Sequence, residues 1–136
     1  MTPRDRAVAK RIREWLSYAA EDLSIAEDLL SRQKSYLRGI GFHSQQAAEM
    51  CVKALLTWRQ TNFPKTHDIE ELLDLLQGSD AVLAESLRPA IVLTRYAVET
   101  RYPAPEGVPS PDEAVQAVAL ARRVRDAVLA VLKDIP

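Results

Sequence analysis

The sequence predicts an all-α protein, an antiparallel up-and-down bundle of four to five helices. Three observations predict it. Apolar residues recur at alternating spacings of three and four through most of the chain. Only four glycines interrupt 136 residues, and strand-like alternation of apolar and polar residues is nearly absent. Helix-start signals stand where most runs of periodicity begin.

Thr2-Pro3-Arg4-Asp5 opens the first run, with Thr2 as N-cap, Pro3 in the first helical position and an acid in the first turn. Its stripe is Ile12, Leu16, Ala19, Leu23, Ala26 and Leu30, widened by Trp15, and it ends near Gln33. A second helix is expected from about Ser35 to Gln60, with Ile40, His43, Ala47, Met50, Ala54 and Trp58 as its stripe. Gly39 and Gly41 near its start each cost roughly 1 kcal/mol of helix stability relative to alanine, so either another backbone approaches closely or the helix starts late.

A loop with Pro64 follows, and Thr66 or Asp68 caps a third helix that ends at Gly78. Asp80 caps a short helix to Leu87. Pro89 then breaks or kinks the pattern before a fourth helix expected to reach about Thr100. The segment from Tyr102 to Pro111, with four prolines and a glycine, reads as a loop. Ser110-Pro111-Asp112-Glu113 is a capping box opening the last helix, whose stripe is Ala117, Ala121, Val124, Val128, Val131 and Ile135.

Length and composition fit one domain covering residues 1–136, with 47% hydrophobic and 27% charged residues. The formal net charge of -1 supplies no global attraction to nucleic acid, so any such contact needs a local patch. The basic ends Arg4, Arg6, Lys10, Arg11, Arg13 and Arg122, Arg123, Arg125 are the two places for one, although such runs are ordinarily solvated faces. Cys51 alone cannot form an internal disulfide, and it reads as a buried thiol in a reducing, cytoplasmic setting. No signal peptide and no membrane-spanning run is visible. Two histidines and one cysteine without ligand spacing imply no metal, and no motif implies a cofactor.

The chemistry-bearing residues concentrate in FHSQQAAEMCVKALL, residues 42–56. His43, Gln45, Gln46, Glu49 and Lys53 crowd one helix. Gln46, Glu49 and Lys53 share a face, and Glu49 precedes Lys53 by one turn. The ordinary reading of that pair is a solvated face. The functional one is a polar seam whose amides and ammonium meet another subunit, a nucleotide or RNA. His43 falls on the apolar stripe, where a satisfied, part-buried imidazole is the default. His67 sits at a helix start, where local capping accounts for it. Arg95, Arg101 and Tyr102 read either as ordinary helix-end chemistry or as a phosphate-contacting corner.

These segments together resemble the HEPN family. WLSYAAEDLSIAEDLL looks like its first helix, the 42–56 segment with HDIEELL like its second and third, and LTRYAVETRYP like its fourth, over roughly residues 15–128. The resemblance implies a small helical bundle linked to nucleotide and RNA biology, a homodimer through the second and fourth helices, and a minimal nucleotidyltransferase as partner in a two-component or toxin–antitoxin pair. Catalytic relatives are metal-independent RNases that carry an Arg followed after four to six residues by a His in the late helix. Here the positions after Arg95 hold Thr100, Arg101 and Tyr102, and those after Arg101 hold Glu106, Gly107 and Val108. Arg38 and His43 have the spacing, but in the second helix. A non-catalytic binding or accessory subunit is the expectation. The alternatives are an RNase using Arg38 and His43, and a pure protein-docking module.

Overall fold

A computed structural model describes residues 1–32, 36–97 and 107–133. It consists of α1 (Pro3–Ser31), α2 (Leu37–Trp58), α3 (Ile69–Gln77), α4 (Ala81–Ser86), a 3-10 helix (Arg88–Tyr96) and α5 (Pro111–Leu132), with no strand among the described residues. The all-α bundle read from the periodicity is the architecture observed.

Capping chemistry sets most of the helix starts. Thr2 accepts from the Asp5 amide while the Asp5 carboxylate accepts from the Thr2 amide, and Ser110 and Glu113 repeat the same box. These hydrogen bonds to the charged form hold the Asp5 and Glu113 carboxyls below their ordinary values. Asp68 and Asp80 cap α3 and α4 through their side chains.

The expected fourth α-helix is not one. Arg88–Tyr96 is 3-10 with Ala97 as its C-cap, and the remainder of the expected helix, up to Thr100, lies outside the described residues. Pro89, without an N–H, sits in its first turn, and the tighter winding brings Ala90, Leu93 and Tyr96 onto one buried face at a period of three.

α2 is the central element. α1 packs along it antiparallel: Arg4 at the start of α1 bonds Gln60 just past the end of α2, and Asp22 meets His43. α5 also packs along α2 and reaches α1 through Arg122 and Glu27, with Pro109, just before its cap, against Gly41. α3, α4 and the 3-10 helix carry the chain back to that starting point. Surrounded in this way, α2 buries Ile40, Ala47, Ala48, Cys51, Val52, Ala54, Leu55 and Leu56, a wider set than one stripe. Ala48, Val52 and Leu55 join Leu72, Leu73 and Leu93 in the main core. The two early glycines of α2 are explained by close side chains rather than by a neighbouring backbone. A Cβ at Gly41 would lie 3.0 Å from Tyr96 Cγ and 3.2 Å from Pro109, and one at Gly39 would lie 3.0 Å from Leu29 Cδ1.

Candidate functional site

The polar residues of α2 divide between two strips. The first centres on Glu49. Its Oε2 accepts from the Lys53 ammonium at 2.8 Å, and its Oε1 accepts from Gln45 Nε2 at 2.8 Å. His67 Nδ1 lies 3.0 Å from the same Oε1, so with the carboxylate ionised that nitrogen carries the proton. Gln45 also donates to the His67 carbonyl at 3.2 Å, which fastens the segment before α3 onto α2. Glu49 is 2% exposed and Lys53 7%, whereas the His67 side chain is 67% exposed. The solvated-face reading of Glu49 and Lys53 is therefore overturned. α2 is covered by α1 and by residues 63–67 where the pair lies, and a local spacing of four cannot disclose that. His67 has a long-range role, since Asp68 and Thr66 supply the local capping bonds.

The second strip is the pair His43–Asp22, with Nδ1 2.7 Å from Oδ1 between α2 and α1. Burial pushes the Asp22 carboxyl above its ordinary value; the hydrogen bond and charge of His43 pull it back, and the negative charges of Glu21 and Glu49 add to the rise. Gln46 belongs to neither network: its Oε1 is buried with no partner among the described residues. Arg38 is exposed at the start of α2. Arg95 lies apart from the Glu49 cluster in an ion pair with Glu113 at 3.8 Å, on the first turn of α5. Arg101 and Tyr102, the rest of the expected corner, lie outside the described residues.

Sequence reasoning missed the surroundings of Lys53. Its ammonium lies 5.5 Å from the Trp15 ring centroid and 5.9 Å from that of Phe63, both within cation–π reach. The two rings are 6.2 Å apart and tilted by 55°. Together they form the floor of an open groove of about 830 Å³ between the first half of α1 and residues 57–65. Arg4, Lys10, Arg11 and Lys65 line it beside Lys53, with Glu14 as the acid among the lining residues. The basic N-terminal end is thereby joined to the polar seam of α2. The signal was present in α1, where Arg4, Ala7, Arg11 and Trp15 recur at helical spacing on one face. Without α2 beside it, that face reads as solvent.

The arrangement holds one buried cation in fixed position and surrounds it with exposed ones. It presents charge-assisted donors and aromatic surface, a combination suited to a phosphate-bearing, ring-containing ligand. Compared with known proteins, the chain matches the family model described as the HEPN domain over residues 12–132. No curated protein and no solved structure matches it.

Proposed function

The chain belongs to the HEPN domain family, and from that premise we infer a non-catalytic binding or accessory subunit whose ligand is a nucleotide or RNA. One observation carries the reading: Lys53, nearly buried and neutralised by Glu49, sits against two aromatic rings at the floor of a groove lined by further cations. A buried ion pair is not an efficient way to stabilise a helical core, because apolar residues of similar volume serve as well or better. Its position beneath the groove gives the pair a use that stability does not.

The absence of a histidine four to six residues after Arg95 favours binding over cleavage. Such a subunit acts through partners. The reading therefore includes a homodimer and a minimal nucleotidyltransferase of a two-component or toxin–antitoxin kind. Calorimetric titration of ATP and of a short single-stranded RNA tests the ligand. Heat from either, weakening as salt rises, is the expected result. No binding of either at millimolar concentration removes the ligand reading and leaves protein docking. Light scattering over a dilution series tests the dimer, and monomer at every concentration removes it.

A second reading has its own support. Asp22 orients the His43 imidazole through Nδ1, the arrangement a general base requires, and Arg38 lies five residues before His43. Metal-free cleavage of single-stranded RNA that is lost in His43→Ala, with the fold intact, would replace the binding role by an RNase.

A further inference from the structure

We propose that the groove between α1 and residues 57–65 binds a single-stranded oligonucleotide segment of roughly two to three nucleotides, backbone along α1 and a base against Trp15 and Phe63. The proposal rests on the nucleotide or RNA reading above and gives it a place and a ligand form.

The distribution of charge points to a chain of phosphates. Arg4 and Arg11 are seven residues apart on one helix, about 10 Å along its axis at 1.5 Å per residue. Cations spread along a helix in that way meet separate phosphates of a backbone, whereas a mononucleotide needs them converging on one point. Lys10, Arg11 and Lys65 are exposed and carry no ion pair among the described residues, so their charges are available. With the whole chain at a net charge of -1, attraction has to arise locally, and this groove is where the cations gather.

The floor points to an unpaired strand. Trp15 and Phe63 are only partly buried, and they meet Lys53 between them. A base can reach such rings only when it is out of a duplex stack. The backbone at the groove's outer end is also built at a cost. Gln60 has φ 52°, in the left-handed region that favours glycine. Its side chain accepts from Arg4 Nη2 at 3.1 Å and lines the groove, positioning that arginine at the end of the row.

The test is fluorescence anisotropy of a labelled hexauridine RNA, and of its deoxy counterpart, with the full chain at about 50 mM salt. The groove variant is Lys10→Glu with Arg11→Glu, both exposed positions. The control is Arg123→Glu with Arg125→Glu on α5, which makes the same change of charge; circular dichroism verifies both folds. The expected result is binding by the wild type, weakened at least about tenfold in the groove variant and less than about threefold in the control. A salt dependence with slope near -2 is expected for about three phosphate contacts on a single strand. Binding of either sugar supports the site, and the tighter one names the strand. Equal loss in both variants, or none in the groove variant, overturns this site while leaving the nucleotide reading. Equal affinity for a duplex, or ATP competing at parity with the hexamer, overturns the oligonucleotide. No binding of any nucleotide or strand by the wild type overturns both.

Discussion

Glu49 Oε2 and the Lys53 ammonium, one helical turn apart on α2, are 2.8 Å from one another, and both side chains are almost wholly enclosed. An exposed pair at this spacing contributes about 0.3–0.5 kcal/mol. An enclosed one behaves differently, because removing either partner leaves a charge in a poorly solvated place. Lys53→Ala is expected to cost about 3 kcal/mol of folding stability, and Lys53→Met combined with Glu49→Gln to recover more than half of that. Urea unfolding measures both. A loss below about 1 kcal/mol for Lys53→Ala would mean that water reaches the pair freely.

Gly39 and Gly41 make a matched contrast. Alanine at Gly39 meets the flexible end of Leu29, which can turn aside, so the gain in helix propensity of about 1 kcal/mol is largely kept. Alanine at Gly41 meets the Tyr96 ring and the Pro109 ring, neither of which can yield without moving the backbone that follows. Gly39→Ala should be neutral or stabilising, and Gly41→Ala should destabilise by about 1–3 kcal/mol. Thermal unfolding of the two variants reads the difference, and equal midpoints would contradict the packing at Gly41.

Gln60 closes α2 in the left-handed conformation. Its amide bonds the Thr57 carbonyl at 3.0 Å, and the next amide, Thr61, bonds the Leu56 carbonyl at 2.9 Å. Glycine accepts this conformation without the Cβ penalty, so Gln60→Gly should raise stability by about 0.5–1 kcal/mol despite losing the exposed bond to Arg4. The same substitution should weaken oligonucleotide binding if that bond positions Arg4. Chemical denaturation beside a binding titration separates the two effects.

Cys51 should be inert in the folded protein. Burial pushes its thiol up to about 12 from an ordinary value of 9.0. The thiolate is the reactive form, so a disulfide reagent at about pH 8 should label Cys51 only as fast as the protein unfolds. Linkage gives the sign of the pH effect. The folded state keeps a proton that the unfolded state releases, so stability falls as pH rises through the window from 9.0 to about 12. Cys51→Ala should remove that part of the decline. Prompt labelling under native conditions would show that the thiol is open to solvent.

The helices were legible because their signals are local. Thr2-Pro3 with Asp5, Ser110-Pro111 with Glu113, and the caps Asp68 and Asp80 each act within a single turn. The stripe of α1 also survives in the structure, with Ile12, Ala19, Leu23 and Ala26 buried. The 3-10 winding of Arg88–Tyr96 was less legible, because Tyr96 and Ala97 are both apolar and buried, so the stripe from Ala90 and Leu93 continues equally well at a spacing of three or of four.

By itself, then, the sequence determined an all-α chain, the starts of its capped helices, its family resemblance and the cluster of polar residues on α2. Only the tertiary structure decided what that cluster faces. Helical periodicity says which residues share a face, but burial depends on what lies against that face, and here the partners are distant in the chain. Glu49 meets His67, Asp22 meets His43, Arg4 meets Gln60, and Lys53 meets Trp15 and Phe63. Each of these contacts arises from the packing of α1 or the loop before α3 onto α2. That packing turned an ion pair with the spacing of a solvated face into the floor of a basic groove, and it left Arg95 with Glu113 elsewhere.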